Sequence, residues 1–304
     1  MSTHGTTPGT TPGSTPGALG LAAVADHFGR DVGENLALIG RHVAAARARG
    51  VRLLALPEAC LGGYLSTLGS GRDGSHAEAP DSLPPAMDVD GPEIAALVRI
   101  AREMTLVVGL CESDGSRRFN SAVALSGDGV HGVHRKVHQP LGEHLFYDAG
   151  DGFAAHDTPV GRLGLLICYD KAFPEAARAL ALDGARTIAC ISAWPASRTA
   201  TAESLADDRW THRHNLFDAA RALENQVVWV SANQTGTFGR LRFVGHAKVI
   251  GPGGDVLADT GIGSGLAVAR LDLDETLSTA RRAMFHLGDR RPAAYAALRE
   301  TVDA

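Results

Sequence analysis

The chain has 304 residues, 44% of them hydrophobic and 21% charged, with a formal net charge of −5. That length can bury a large core as one big α/β domain or two smaller ones, and the slight acidity offers no basic footprint for nucleic acid or an anionic membrane surface. No apolar run reaches the length of a membrane span, and the N-terminus lacks the basic-then-apolar pattern of a signal peptide. Cys60, Cys111, Cys168 and Cys190 lie far apart, without a C-x-x-C pair or zinc spacing, so a reduced cytoplasm is the expected setting.

Residues 1–17 stand apart in composition. Thr6-Thr7-Pro8-Gly9, Thr10-Thr11-Pro12-Gly13 and Ser14-Thr15-Pro16-Gly17 repeat one four-residue unit, which has nothing to bury and predicts a disordered tail. From residue 18 the signals alternate. Residues 18–25 read as a strand, 35–49 as a helix with Leu36, Ile39, Val43 and Ala46 on one face, and 51–56 as a buried strand running into Pro57-Glu58. Residues 69–90 are rich in Gly, Ser, Pro and Asp, a long surface excursion and a candidate lid. A helix is expected over 92–104, then strands over 106–111, 121–125 and 130–136. Beyond them come strands at 163–167 and 186–192, a helix over 205–225, strands at 227–232, 245–250 and 265–271, and a helix at 274–282. Strands alternating with helices predict a sheet protein with helices packed outside, and no linker composition recurs after residue 18, so 18–304 is read as one domain.

The stretch GRLGLLICYDKAFPE (residues 161–175) organises the rest. Its apolar run stops at Cys168, and Pro174 then opens an Ala- and Leu-rich helix. A cysteine on a strand-to-helix turn is lifted off the sheet edge where backbone N–H groups favour negative charge. It is equally the kind of small residue that cores bury. Two other strand ends carry polar groups: Glu58 after 51–56 and Lys136 at the end of 130–136. Alone, Glu58 is also a surface carboxylate or cap, and Lys136 also one of a solvated basic cluster. Catalysts in α/β sheets gather outside the carboxyl ends of strands, and a carboxylate, a cation and a thiol make the set that acyl transfer needs.

Leu56-Pro57-Glu58 with Gly62-Gly63-Tyr64, His134-Arg135-Lys136-Val137-His138, and the run 164–175 resemble the glutamate, lysine and cysteine motifs of the nitrilase superfamily of carbon–nitrogen hydrolases. Ala222-Leu223-Glu224-Asn225, Asn233, Gly236, Gly245 and Pro252-Gly253-Gly254 extend the resemblance over residues 18–295. It implies a four-layer α-β-β-α sandwich, copies paired as a homodimer or higher homo-oligomer through helices flanking the cysteine and lysine motifs, and neither metal nor organic cofactor. It implies a Glu58–Lys136–Cys168 triad. A second glutamate, Glu143, would orient Lys136 or the attacking water, or form a rim salt bridge. A free thiol titrates near ~8.5 and needs a base to react at neutral pH. Glu58 would take the Cys168 proton, and Lys136 with the Tyr169 N–H would hold the oxyanion.

Tyr64, Tyr169, Lys171 and Trp194 are the expected substrate-binding residues. The pair Tyr169-Asp170 follows the cysteine where true nitrilases usually have Trp-Glu, which points to the amidase and carbamoylase branches. Carbamoylase-like arginine pairs are not evident there, and Lys171 alone could serve. The expected substrate is a small non-peptide amide, with an N-carbamoyl compound next and a nitrile third. A non-catalytic ligand-binding relative is the alternative from another class. Among the thirteen histidines, His134, His138 and His144 sit near the lysine motif, and His212 and His214 alternate along a helix where ligand pairs need three- or four-residue spacing, so no metal site is expected. Cys60 is read as buried and inert.

Overall fold

The computed structural model describes residues 17–69 and 82–299, with side chains through 295. The repeated tail, except Gly17, and residues 70–81 of the excursion lie outside the described residues. Strand β1 (Leu19–Asp26) and helix α1 (Val32–Ala48) are followed by β2 (Leu53–Ala55) and the two-residue β3 (Ala86–Met87). Helix α2 (Pro92–Ala101) leads into an antiparallel meander of β4 (Thr105–Asp114), β5 (Arg117–Ser126) and β6 (Gly129–Arg135). A hairpin of β7 (Ala155–Thr158) and β8 (Gly161–Ile167) precedes α3 (Pro174–Leu182), β9 (Thr187–Ser192), α4 (Arg209–Asn225) and β10 (Val228–Gln234). The short pair β11 (Thr237–Phe238) and β12 (Leu241–Arg242), then β13 (Lys248–Ile250), β14 (Val256–Asp259), β15 (Gly265–Leu271) and α5 (Leu273–Arg281) complete the elements the site depends on.

The main sheet runs β6-β5-β4-β2-β1-β10-β9-β8-β7, with β15 and β13 branching from β1 and β10. It folds back on itself so that β5 and β6 face β8, and β4 faces β9. The two-residue side-chain period then makes the layers. From β1, Leu21, Ala23 and Ala25 enter a central core with Val107, Ala122, Leu165, Ile191 and Val230. Ala22 and Val24 point the other way, to Ile39 and Val43 of α1 and Leu97 of α2. On the far side Leu166, Ile188 and Trp229 meet Ala176, Leu180 and Ala222 of α3 and α4. Helix, sheet, sheet and helix thus stack in four layers, and central strands such as β2, β9 and β10 are buried along their whole length because both their faces are covered.

Several boundaries move from the sequence expectation, each for a local reason. Helix α1 begins at Val32 rather than 35 because the Asp31 side chain accepts the Glu34 N–H at 2.8 Å, a helix N-cap. The helix expected over 205–225 is broken at Asp208. A 3-10 turn, Leu205–Asp207, ends there, and the Asp208 carboxylate accepts the Trp210 N–H at 2.8 Å to open α4. Strands β7, β11, β12 and β14 have no strong apolar alternation, and they lie at sheet margins or in small hairpins. Among the described residues no helix is long and apolar enough to cross a membrane.

Candidate active site

Three strand ends converge. Past β2 the chain turns through Pro57 into Glu58, whose backbone N–H donates to the Ser192 carbonyl at the end of β9 (3.3 Å) and whose carbonyl accepts from Gln234 Nε2 (3.1 Å). This turn lies against Gly109 of β4. A Cβ there would stand 2.3 Å from the Ala59 nitrogen and 2.9 Å from the Glu58 Cα, so only glycine lets the two backbones meet. Lys136 follows β6, its N–H donating to the Asn120 carbonyl (2.8 Å) and its carbonyl accepting from Gly150 N (2.9 Å). Cys168 follows β8 in the left-handed region at φ 49° and starts a 3-10 turn, Cys168–Ala172, that feeds α3.

Glu58, Lys136 and Glu143 are each 0% exposed and share one network. Lys136 Nζ donates to Glu58 Oε1 at 2.8 Å and to Glu143 Oε2 at 2.7 Å. Asn120 Nδ2 donates to Glu58 Oε1 and to Glu143 Oε1, each at 2.7 Å, and the Ala193 N–H donates to Glu58 Oε2 at 2.6 Å. Two carboxylates around one ammonium cannot both be comfortable without water. Burial pushes the Glu143 carboxyl up to about 7, against the pull of Lys136 and with the push of Glu58. Burial alone would lower the Lys136 ammonium, but Glu143 and Glu58 outweigh it and hold the charge above the ordinary lysine value. Burial first, then the Glu58 charge, raises the Cys168 thiol well above its ordinary value, while Lys136 and Lys171 pull it down. The resting sulfur is therefore a thiol, and its proton must pass to a base as it attacks.

A cleft of about 650 Å³ opens over Cys168. Tyr64, Tyr169 and Trp194, three of the four expected substrate-binding residues, line it together with His138, Phe173 and Trp210. Trp194 is fixed through its N–H to Asn233 Oδ1 (2.8 Å) and its indole N–H to the Trp210 carbonyl (3.0 Å). Lys171 is the exception among the four. It is 0% exposed and lines no part of the cleft; its Nζ is bonded to His214 Nδ1 (2.6 Å) and Asp218 Oδ1 (2.8 Å), with its charge 4.9 Å from the Trp194 ring centre. The correction has a plain cause: a buried ammonium goes to a buried carboxylate, and Asp218 is a partner 47 residues away. Another groove, about 690 Å³ and lined by Glu112, His134, Arg135, Phe153 and His156, contains no thiol.

Two further side chains hold the constellation in place. Asn120 is the clamp between the carboxylates. It continues the inward register of Ala122 and Ala124, so the two-residue period points to it once β5 is extended back past residue 121. Asp170 ties the cysteine turn to the lysine segment. Its buried carboxylate accepts from His134 Nε2, His138 Nδ1 and the His138 N–H, each at 2.9 Å, and from the Ile167 N–H at 3.2 Å. Burial would raise the Asp170 carboxyl, but the bonds from His134 and His138 hold it well below the usual carboxylate range. The two histidines flanking Lys136 thus anchor it beside Cys168. Among the described residues no group of three or more His, Cys, Asp or Glu side chains is arranged to hold a metal ion.

A four-layer sandwich carrying a thiol, a buried glutamate and a buried lysine at neighbouring strand ends defines a carbon–nitrogen hydrolase architecture, and residues 21–281 match the carbon–nitrogen hydrolase family. The chain belongs to that family and is a hydrolase acting on non-peptide C–N bonds. It is 32% identical over 213 residues to a probable nitrilase of Schizosaccharomyces pombe, covering 68% of this chain and 74% of that one. Identity to an N-carbamoylputrescine amidase of Arabidopsis thaliana is 28% over 286 residues, 88% and 91% of the two chains. An amidase from Nesterenkonia sp., solved with the acetamide moiety of fluoroacetamide covalently added at its active-site cysteine, superimposes with a TM-score of 0.73 at 25% identity, covering 95% of this chain and 99% of that one.

Proposed function

We propose that the protein hydrolyses a small non-peptide amide through a thioester on Cys168. The observation that carries this is the buried Glu58–Lys136–Glu143–Asn120 network beside a cysteine held at φ 49° over a cleft. Glu58 takes the thiol proton as sulfur bonds to the carbonyl carbon, and Lys136 with the Tyr169 N–H balances the charge that develops on oxygen. The C–N bond then breaks as Glu58 gives its proton to the departing nitrogen. Glu58 next takes a proton from water while the oxygen attacks the thioester, and the C–S bond breaks to release acid and restore the thiol. Glu143 orients Lys136 and takes up charge as the cycle proceeds. Likeness to the Arabidopsis enzyme over nearly its full length supports an N-carbamoyl substrate as the second reading, and likeness to the S. pombe protein supports a nitrile as the third.

The same reading includes a reduced, cytoplasmic setting, supported by four free thiols. It also includes a homo-oligomer, supported by Leu216 and Leu223, which stay 54% and 47% exposed on α4. Ammonia release from a panel of amides, carbamoyl compounds and nitriles tests the activity. Amides are expected to turn over fastest, and Cys168→Ala is expected to remove turnover while circular dichroism stays native. Turnover retained in a folded Cys168→Ala variant would refute the thioester.

A further inference from the structure

The interior of the cleft is aromatic and apolar, with Tyr64, Phe173, Trp194 and Trp210 in its walls. Among the described lining residues, Arg198 alone carries a permanent charge. It is exposed at the rim, and its Nη2 donates to the Gly69 carbonyl at 2.6 Å, which fixes the guanidinium while Nε and Nη1 bond to no described residue. Next to it, Thr199 also lines the cleft and accepts from Arg209 Nη2 at 2.9 Å. Neither arginine forms an ion pair with a carboxylate among the described residues. Asp208, beside Arg209 in sequence, is 2% exposed. Both its oxygens accept from the Ser197 N–H at 3.1 Å, and Oδ1 accepts from the Trp210 N–H as well. The rim therefore presents the Arg198 guanidinium above a lining without other permanent charge, with Arg209 bonded to the neighbouring Thr199, while Glu203 and Asp207 of the same loop are exposed and ion-paired to neither arginine.

We infer that Arg198, supported by Arg209, binds a carboxylate at the far end of the substrate, so that the enzyme favours small amides whose acyl chain ends in an anion. This rests on the amide-hydrolase reading above and names the substrate class for that site. A guanidinium presents paired N–H donors in a plane that matches a carboxylate, which a lone ammonium does not. The cleft volume, about 650 Å³, falls within the ~300–1,000 Å³ of small-ligand sites and leaves room for a short carbon chain between Cys168 and Arg198. A half-exposed contact of this kind works through selectivity among substrates of different charge, and added salt weakens it.

Three five-carbon amides separate the possibilities: pentanamide (neutral), glutaramate (anionic) and 5-aminopentanamide (cationic). The wild-type kcat/KM is expected to be about tenfold or more higher for glutaramate than for pentanamide, and lowest for 5-aminopentanamide. Arg198→Gln should collapse the anion-to-neutral ratio towards one, Arg198→Lys should restore part of it, and Arg198→Glu should favour the cationic amide. A merely structural disturbance of the rim would slow all three alike and leave their ratios in place, which overturns the inference, as does a wild-type enzyme that turns over pentanamide without preferring glutaramate. If none of the three is hydrolysed, the amide reading fails separately. Binding of glutarate to the wild-type protein, followed by tryptophan fluorescence from Trp194 and Trp210, then decides the carboxylate site: saturable binding weakened by Arg198→Gln supports it, and no binding refutes it.

Discussion

Glu143 shows at the scale of one side chain how burial sets the chemistry. Its carboxyl is pushed up to about 7, first by burial, with Lys136 opposing and Glu58 adding to the rise. A group whose folded-state value is raised contributes stability fully below its ordinary value near ~4.3, and loses that contribution as pH climbs through the folded value. Glu143→Gln locks the neutral shape in place. The wild type should therefore lose stability relative to this variant between pH ~4.5 and pH ~7.5, by an amount on the order of 3 kcal/mol, readable from urea unfolding across that range. The pH–rate profile should lose its limb near 7 in the same variant. A stability difference that stays flat with pH would mean that Glu143 is already ionised at pH 5. At this scale sequence motifs pick out Glu58, Lys136, Cys168 and Glu143, which the fold brings together at one end of the sheet. Lys171, expected in the cleft, is instead bonded to Asp218, because nearness to the thiol along the chain does not say which way a side chain turns. That depends on Asp218, which lies on another element.

At the scale of elements, the site depends on how closely β4 lets the Glu58 turn approach. Gly109→Ala would put a methyl group 2.3 Å from the Ala59 nitrogen, against backbone that cannot rotate away. The turn must shift, and the Glu58 carboxylate with it. A displacement approaching 1 Å at a catalytic group can cost about 100-fold in rate. Gly109→Ala should lower kcat by about that factor with little change in far-ultraviolet circular dichroism, whereas a normal kcat would show that the turn has slack. Long elements were readable because burial stamps a period on them: α1, α2, α3 and the strands around Cys168 fall within a few residues of expectation. Their ends were not, because caps decide them. Asp31 and Asp208 each stop or start a helix with one carboxylate, and a polar residue in a polar loop looks the same whether or not it caps. Polar β7 and exposed β14 lie too near the margin of the sheet for alternation to mark them.

Across the whole molecule, alternating strands and helices specify α/β, but they do not say that the sheet folds back to make two inner layers. That depends on pairings such as β1 with β10, which are more than 200 residues apart in sequence. A buried charge cluster shows what holds the second half of the sandwich to its helix. Asp218 of α4 takes Lys171 from the cysteine turn at 2.8 Å through Oδ1, and Lys248 of β13 at 2.8 Å through Oδ2; the latter is an ion pair without hydrogen-bond geometry. Trp229 of β10 donates its indole N–H to the same carboxylate at 3.1 Å. Burial would raise Asp218, but the two lysines hold it far below the carboxylate range, and the same burial and lysine charges keep His214 neutral so that its Nδ1 can accept from Lys171. Helix, turn and two strands thus meet at one anion, and among the described residues neither lysine forms an ion pair with any other carboxylate. Removing the anion and removing one cation should therefore have unequal effects. Asp218→Asn leaves two buried ammonium groups uncompensated, and losing the only partner of a buried charge costs about 3–5 kcal/mol. Lys248→Met leaves the Lys171–Asp218 pair whole and replaces a buried charge with a flexible apolar chain of similar length, a change that costs much less than ~3 kcal/mol or is neutral. Urea unfolding of the two variants, both at one pH near 7, measures the contrast. Asp218→Asn should unfold at a clearly lower urea concentration than Lys248→Met. Equal midpoints would show that the three side chains are not joined in one ion cluster, and that α4 is held to the sheet by apolar contacts such as those of Ala222 and Trp229 alone.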